Sequence, residues 1–268
     1  MTDSSTIFAE LRRDALAIRK MLLAMHYRAK SGHIGTGLSS IDILALLHKV
    51  WLGEDDAFLL SKGHGASALY ATLHHYGRIS DEEIATYYQD GTLFPAHPAP
   101  RAVPAIVAAT GSLGHGLSIA AGIAYARKHV HEQTTRVAAL LSDGECNEGS
   151  VWEAAAFASH HGLSNLLVVV DANGLQGFGT TREVLDMEPF ADKWRAFGFA
   201  THEIDGHDFE QLHAATRELD PQRPTCIIAR TRKGNGVGFM EGKLEWHYLP
   251  MTEAQYRDAL RSLDGESS

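Results

Sequence analysis

Cysteine is almost absent from this 268-residue sequence, which contains only Cys146 and Cys226. Two cysteines cannot form the multiple disulfide bridges that hold small secreted proteins together, so an apolar core has to stabilise the fold. The chain is long enough for such a core, and its 44% hydrophobic and 21% charged residues are ordinary for a globular protein. We therefore expect a single large domain over residues 1–268.

Long apolar runs and clusters of basic residues are also missing. No stretch approaches the roughly 20 apolar residues that a membrane-spanning helix needs, and the N-terminus lacks the basic-then-apolar order of a signal peptide. The net charge is −9, with 33 acidic residues against 24 Lys and Arg, which argues against a nucleic-acid surface. We expect a cytoplasmic enzyme that binds neither nucleic acid nor a membrane.

Histidine is abundant by comparison, with 16 residues. His33, His64, His97 and His247 lie in predicted turns or loops, mostly beside glycine or proline, rather than on a helix face. A single histidine of this kind is usually a solvated loop residue. Four of them together favour a role in proton transfer, because imidazole titrates near neutral pH and can also donate hydrogen bonds to phosphate.

Two apolar runs, 137–141 and 166–170, predict buried strands, and a helical segment lies between them. Strand, helix and strand in this order form a βαβ unit with parallel strands. Asp143 follows the first strand and Asn173 follows the second. Open α/β sheets bind ligands at the carboxyl ends of their strands, so these two side chains are expected to meet at a ligand site.

The chemistry of this strand edge suits a hard cation and a phosphate. Asp143 and Asn173 offer side-chain oxygens, and the turn after Asn173 can add a backbone carbonyl such as that of Leu175. Mg²⁺ usually takes one or two protein oxygens of this kind, with water and phosphate oxygens completing its shell. Gly144 permits close backbone approach to a phosphate, and the helix start that follows supplies free N–H groups. The pattern predicts a metal-bridged diphosphate.

The rest of the chain alternates between helix and strand patterns and has no internal repeat or interdomain linker. This alternation predicts an α/β fold with a parallel sheet and helices on both faces. Capping boxes are expected at Ser39–Asp42, Ser80–Glu83 and Thr252–Gln255. The predicted helices cover 5–30, 66–76, 190–197 and 209–219, and one more ends near 129; the other strands cover 57–61, 199–204 and 225–230.

The sequence resembles the amino-terminal half of transketolases over essentially its whole length. The motifs that carry the resemblance occur in the family's order: SGHIG, LSKGHG, FPAHP, TGSLGHG, SDGECNEG, DANGLQ, ARTRKGNG and EWH. The resemblance implies the diphosphate-binding domain of the thiamine diphosphate-binding fold. Ser142 and His115 depart from the family's usual Gly and Gln, and the segment after SGH is Ile-Gly-Thr-Gly rather than Pro-Gly-based. The last two departures bear on the substrate more than on the cofactor.

The resemblance also implies roles for individual residues. Asp143, Asn173 and the Leu175 carbonyl would hold Mg²⁺ or Ca²⁺. His33 and His247 would transfer protons to and from sugar hydroxyls, and His97 would bind the first hydroxyls of the donor. The residues implied in binding thiamine diphosphate are His64, Gly111, Leu113, Gly114, Gly144, Asn173, Lys233 and His247, together with Glu148 near the subunit contact.

In this superfamily, the glutamate that activates the cofactor lies in a pyrimidine-binding domain. The resemblance covers only the diphosphate-binding part, which implies that this chain is the N-terminal subunit of a split transketolase. The pyrimidine-binding and C-terminal domains would then lie on a separately encoded partner. The active enzyme would be a heterotetramer of two plus two chains that transfers a two-carbon ketol unit from a ketose, or ketose phosphate, to an aldose.

Three alternatives remain open. The α subunit of a 2-oxo acid dehydrogenase would share the metal motif, but it would not require the histidines of SGHIG, KGHG and AHP. A regulatory homologue without turnover would have no physical need for Asp143, Asn173, His64 and His247 together. Within the transketolase class, the sequence does not distinguish central from specialised sugar metabolism, and it identifies neither the donor nor the acceptor.

Overall fold

A computed structural model describes residues 4–100 and 102–265 of the chain. Its centre is a five-stranded parallel sheet with the strand order β1-β2-β3-β5-β4. The α/β fold class predicted from the sequence is therefore confirmed. The strands are β1 (Ala57–Leu60), β2 (Val137–Ser142), β3 (Leu166–Ala172), β4 (Ala200–Asp205) and β5 (Thr225–Arg230).

Helices cover both faces of this sheet, because successive side chains of a strand point to opposite faces and both sets are apolar here. The helices are α1 (Ser4–Ala29), α2 (Ile34–Leu46), α3 (Ala66–His75), α4 (Asp81–Ala85), α5 (His115–Tyr125), α6 (Gly149–His160), α7 (Thr181–Leu185), α8 (Phe190–Ala196), α9 (Phe209–Arg217) and α10 (Glu253–Leu263). Leu140 and Val169 pack into a core with α1, α2, α3 and α9, whereas Ala139 and Val168 pack into a second core with α5, α6 and α8.

The unit β2–α6–β3 has the predicted form. The two strands are parallel neighbours, and their register pairs Ser142 with Asp171. The backbone N–H of Asp143 donates to the carbonyl of Asp171 at 3.3 Å, which extends the pairing one residue beyond β2. Asp143 and Asn173 therefore leave the sheet side by side at its carboxyl edge.

The prediction of a helix opening at Ser39–Asp42 is wrong. Helix α2 begins five residues earlier, at Ile34, and the Ser40 hydroxyl donates back to the Thr36 carbonyl inside the helix. Tertiary packing explains why the glycine-rich segment after His33, where the sequence predicts a turn, is helical from Ile34 onward. A Cβ atom at Gly35 would lie 2.9 Å from Cγ of Lys233, so only glycine lets the helix pack this closely.

The other two capping boxes are confirmed. Ser80 accepts a hydrogen bond from the backbone of Glu83 at the start of α4, and Thr252 does the same with Gln255 at the start of α10. The helix predicted to end near 129 is interrupted: α5 ends at Tyr125, and a short π-helical turn covers Ala126–Val130. Within the described part of the chain, no helix has the length and hydropathy to cross a bilayer.

Candidate functional site

The four loop histidines of the sequence converge on one cavity of about 270 Å³ at the carboxyl edge of the sheet. The ring of His33 lies 5.0 Å from that of His247, 5.6 Å from that of His64 and 6.3 Å from that of His97, measured between centroids. The rings of His64 and His247 are 5.9 Å apart. Residues that are up to 214 positions apart in the sequence thus form a single imidazole cluster.

Backbone contacts explain how the cluster is held together. His33 is the N-cap residue of α2 and has a positive φ of 68°, which is uncommon for a residue other than glycine. Its N–H donates to the carbonyl of His247 at 2.9 Å, which joins the start of α2 to the short 3₁₀ turn Leu244–His247. His64 lies in the turn after β1, and His97 packs against Gly111, where an added Cβ would be 3.2 Å from the His97 ring.

The oxygens proposed as metal ligands line the same cavity. Oδ1 of Asp143 accepts from the Gly144 N–H at 2.8 Å, and Oδ2 accepts from the Gly174 N–H at 2.7 Å. The Asn173 Oδ1 accepts from the Leu175 N–H at 3.1 Å. Burial raises the pKa of Asp143 to about 6, and the nearby Asp171 carboxylate adds to this effect. A bound cation would relieve the cost of this buried charge.

The ligand set predicted from the sequence contains one carboxylate, one carboxamide and one backbone carbonyl. Among the residues that the structure describes, no group of three or more His, Cys, Asp and Glu side chains is arranged to hold a metal ion. A site for zinc or another metal that prefers nitrogen or sulfur is therefore not seen in that part of the chain. Oxygen ligands that leave most of the coordination shell to water and phosphate are typical of Mg²⁺.

Lys233 links residues 173–175, which contain two of the predicted metal ligands, to the histidine cluster. Its side chain is buried, and Nζ donates to the Leu175 carbonyl at 3.2 Å and to Nδ1 of His247 at 2.9 Å. Since an ammonium group can only donate, Nδ1 of His247 accepts, and the proton of the neutral ring is on Nε2. Burial lowers the pKa of Lys233 to about 8. Burial and the Lys233 charge lower the pKa of His247 to about 3.

The other three imidazoles are also neutral near pH 7. Burial lowers the pKa of both His33 and His97, and the pKa of His33 is lowered further by His97 when that ring is protonated and by the Lys233 ammonium. Burial and the positive charge of Lys62 hold the pKa of His64 well below its usual value. Each neutral ring has one donor and one acceptor nitrogen, so the cluster can bind hydroxyl and phosphate oxygens and exchange protons with them.

Most of the predicted site residues line the cavity, but two do not. Gly114 has a φ of +85° and is buried behind the wall, where an added Cβ would lie 2.4 Å from Oγ of Ser150. Glu148 is exposed at the N-cap of α6. The predicted residues that do line the cavity are His33, His64, His97, Gly111, Leu113, Asp143, Gly144, Asn173, Leu175, Lys233 and His247.

Sequence reasoning missed three features of the site. Glu145 is fully buried and accepts from Oγ of Ser61 at 2.5 Å and from the Gly114 N–H at 2.9 Å, which holds the glycine turn against β1. Tyr248 lines the cavity, and its hydroxyl donates to the Gly177 carbonyl at 2.5 Å. Lys62 and Asp171 form a buried ion pair beneath the cavity. For the three charged residues, the only signal in the sequence is a charge placed at the end of an apolar run or just after it.

Together these features define an α/β domain with an imidazole-rich cavity at the carboxyl edge of a parallel sheet. Residues 12–265 match the family model described as "Transketolase, thiamine diphosphate binding domain". The chain belongs to this family, and the resemblance read from its motifs is confirmed.

Relatives and solved structures agree with this assignment. The chain is 39% identical to a subunit of the apulose-4-phosphate transketolase of Phocaeicola vulgatus, across 91% of this chain and 90% of the relative. It is 37% identical to the 6-deoxy-6-sulfo-D-fructose transketolase subunit SqwG of Clostridium sp. (strain MSTE9), across 97% and 98% of the two chains. The structure of transketolase from Leishmania mexicana superposes with a TM-score of 0.89 at 27% identity, and the match covers 95% of this chain but only 41% of that transketolase.

Proposed function

We propose that this chain is the N-terminal subunit of a split transketolase that depends on thiamine diphosphate and Mg²⁺. The observation that carries the proposal is that three oxygen ligands, one lysine and four neutral imidazoles share one cavity in a thiamine diphosphate-binding domain. The reaction would transfer a two-carbon ketol unit from a ketose, or ketose phosphate, to an aldose acceptor.

The residues present fit a divalent cation. The Asp143 carboxyl group is buried away from water, so its ionisation costs free energy, as its raised pKa of about 6 indicates. The Leu175 carbonyl already accepts from a cationic group, the Lys233 ammonium. In the proposed complex, Asp143, Asn173 and the Leu175 carbonyl would hold Mg²⁺ or Ca²⁺, and diphosphate oxygens would complete the shell.

The residues present also fit a diphosphate. His64, Lys233 and His247 supply donors around the cavity, and Gly144 brings the backbone close to it without a side chain. A Cβ at Gly111 would press on the His97 ring, so glycine keeps this part of the wall open. When bound, thiamine diphosphate would supply the nucleophilic carbon and the electron sink that carbon–carbon bond cleavage requires.

Three histidines would then act on the sugar. In this proposal His97 binds hydroxyls of the donor, and His33 and His247 transfer protons to and from the sugar hydroxyls, with His33 as the acceptor and His247 as a donor. A neutral imidazole can do both, since it has one basic nitrogen and one N–H group. For His247 the tautomer assigns the proton-donating role to Nε2, because Nδ1 accepts from Lys233.

We further propose that the chain forms one diphosphate-binding domain over residues 1–268 and works with a separately encoded partner. The partner would carry the pyrimidine-binding and C-terminal domains and the activating glutamate, and two copies of each chain would form a heterotetramer. Two observations support this: relatives of matching length are named as subunits, and the solved transketolase is more than twice as long as the matched region. Exposed Glu148 would face this partner.

The names of the relatives favour a specialised sugar over a pentose of central metabolism. One relative is named for apulose-4-phosphate and another for 6-deoxy-6-sulfo-D-fructose, and both match this chain over at least nine-tenths of its length. Both names describe sugars with an anionic group, a phosphate in the first and a sulfo group in the second. We propose that the donor or acceptor of this enzyme belongs to the same chemical class.

Coexpression with the adjacent reading frame tests the proposal. The copurified pair should catalyse ketol transfer from ketose phosphates or modified sugars only when thiamine diphosphate and Mg²⁺ are present. A pair that is active on pyruvate-like 2-oxo acids instead would support the 2-oxo acid dehydrogenase alternative. A pair that binds no cofactor at any Mg²⁺ concentration would contradict the proposal and favour a regulatory homologue.

A further inference from the structure

A buried ion pair lies directly beneath the cavity and outside the predicted site. The Lys62 and Asp171 side chains have no exposed surface, and the Lys62 ammonium donates to Oδ2 of Asp171. Lys62 follows β1, and Asp171 is the penultimate residue of β3. Neither side chain lines the cavity, so neither could contact a ligand bound there.

The hydrogen bonds of this pair are complete. Nζ of Lys62 also donates to the Thr36 carbonyl at 3.1 Å and lies 3.0 Å from the Thr36 hydroxyl. Oδ2 of Asp171 accepts from Oγ of Ser39 at 2.6 Å, and Oδ1 accepts from the Thr231 hydroxyl. With all donors and acceptors satisfied, the positions of the five residues are tightly determined.

Each of these contacts fixes a chain segment that carries a predicted site residue. The Ser39 hydroxyl is also 3.5 Å from Nδ2 of Asn173, so one side chain touches both the pair and a proposed metal ligand. Four chain segments meet at the pair, and each carries a predicted site residue two or three positions away from the residue that makes the contact. Thr36 follows His33, and Lys62 precedes His64. Asp171 precedes Asn173, and Thr231 precedes Lys233.

Stability alone does not account for an ion pair at this place. Removing two charges from water is costly, and replacing a buried pair by uncharged residues of similar volume is often neutral or stabilising. The pair lies where β1, β3, the start of α2 and the end of β5 converge, which is the place where a small shift would separate the site residues from one another.

We propose that Lys62 and Asp171 are positioning residues, which hold Asn173 and the first turn of α2 in the geometry that binds the metal-linked cofactor. This inference rests on the proposed function, since it assigns the pair a role in the same site. It predicts that weakening the pair raises the Mg²⁺ concentration needed for cofactor binding while the protein remains folded.

Ser39→Ala and Ser40→Ala form a matched test. Both serines are fully buried in α2, but only Ser39 touches Asp171 and Asn173, whereas the Ser40 hydroxyl donates to carbonyls within the helix. In the chain copurified with its partner, Ser39→Ala should raise the Mg²⁺ concentration for half-maximal thiamine diphosphate binding by about fivefold, as the loss of one hydrogen bond implies. Ser40→Ala should leave this concentration unchanged.

The double variant Lys62→Met/Asp171→Asn removes both charges and keeps the side-chain volumes. It should remain folded with a modestly lower melting temperature, because Met leaves the Thr36 carbonyl without its Lys62 donor. It should also require at least about tenfold more Mg²⁺ and regain full cofactor binding at saturating Mg²⁺. A merely structural role would lower the melting temperature without changing the Mg²⁺ requirement of the folded fraction. If the double variant does not fold, the comparison of Ser39→Ala with Ser40→Ala alone tests the positioning role.

Failure of the proposed function can be distinguished from failure of the positioning role. A wild-type complex that binds no cofactor at any Mg²⁺ concentration would overturn the proposed function. A wild-type complex that binds cofactor, with Ser39→Ala and Ser40→Ala sharing one Mg²⁺ dependence, would overturn the positioning role and leave the proposed function standing.

Discussion

Lys233 carries a positive charge among imidazoles that burial keeps neutral. Its pKa of about 8 means that the ammonium form predominates at pH 7 but is lost within the range where the protein can be handled. A diphosphate bound nearby would favour the charged form and raise this pKa. Cofactor binding should therefore be coupled to the protonation of one lysine.

This coupling gives a pH dependence with a definite sign. Between about pH 7 and about pH 8 Lys233 is mostly protonated and Asp143 is mostly ionised, so affinity for thiamine diphosphate should change little, and above pH 8 it should weaken because binding then has to take up a proton. Lys233→Met should bind about tenfold more weakly at pH 7 and lose the dependence above pH 8. Calorimetric titration of the copurified pair between pH 7 and about pH 9.5 measures both effects.

Lys243→Met is a suitable control, because Lys243 is exposed and does not line the cavity. It should retain both the wild-type affinity and the wild-type pH dependence. An unchanged pH profile in Lys233→Met would remove Lys233 from the cofactor site.

In the absence of metal, the ionised Asp143 carboxylate should lower the free energy of unfolding. Its pKa is raised from 3.8 to about 6, so the folded state favours the protonated carboxyl group. The stability that this protonated group contributes is fully present below pH 3.8 and is lost as the pH rises through 6. The loss is on the order of 2–3 kcal/mol at pH 7. Asp143→Asn should therefore gain stability relative to wild type as the pH rises from 4 to 7, and it should lose Mg²⁺-dependent cofactor binding.

Urea unfolding at pH 4 and pH 7, with and without Mg²⁺ and thiamine diphosphate, checks this prediction. Wild type should be stabilised by the two ligands at pH 7, and Asp143→Asn should not. If Asp143→Asn keeps Mg²⁺-dependent cofactor affinity, the metal assignment is wrong.

His247 should matter more for turnover than for binding. His247→Ala removes a proposed proton-transfer group but leaves Asp143, Asn173 and Leu175 in place, so we expect turnover to fall by about 10²–10⁴-fold and cofactor affinity to fall much less. Steady-state kinetics of the pair at saturating thiamine diphosphate measure the first effect. His131→Ala, at an exposed histidine that does not line the cavity, should leave both values unchanged. Unchanged turnover in His247→Ala would exclude it from the mechanism.

At the scale of elements, α5 shows how glycine sets the distance between a helix and the sheet. A Cβ at Gly116 would lie 2.2 Å from Oγ and 2.6 Å from Cα of Ser61, at the end of β1. Gly122, further along α5, has no atom within 4 Å of the same position. Gly116 is therefore required for close packing of α5 on β1, whereas Gly122 only weakens the helix.

The two substitutions to alanine should have opposite effects. Gly116→Ala forces α5 away from β1 and should destabilise the fold by about 1–3 kcal/mol. Gly122→Ala should stabilise it by about 0.5–1 kcal/mol, because alanine loses less backbone entropy in a helix. Urea unfolding of the two variants gives the comparison, and the same sign for both would contradict the packing argument.

Elements whose pattern is local were predictable from the sequence. The apolar runs at 137–141 and 166–170 and the box at Ser80 specify their structure within a few residues, and the structure agrees with each of them. The start of α2 was not predictable in this way. Gly35 and Gly37 favour a turn locally, and only contact with Lys233 and Leu22, which lie outside this segment, explains why they lie in a helix.

At the scale of the molecule, the parallel sheet is covered on both faces, so its carboxyl edge gathers the loops that carry the site. Strand order makes it predictable that Asp143 and Asn173 meet, and the family motifs single out the histidines. The pairing of Lys62 with Asp171, 109 residues apart, was not predictable, because a charge after an apolar run does not identify its partner. The Tyr248 contact with Gly177 is non-local in the same sense.

The most direct test of the account is a ketol-transfer assay of the chain, its coexpressed partner and the copurified pair, each with and without thiamine diphosphate and Mg²⁺. The account predicts activity only in the pair and only with both ligands. Ketol transfer by the chain alone, or by the pair after removal of Mg²⁺ and thiamine diphosphate, would contradict it.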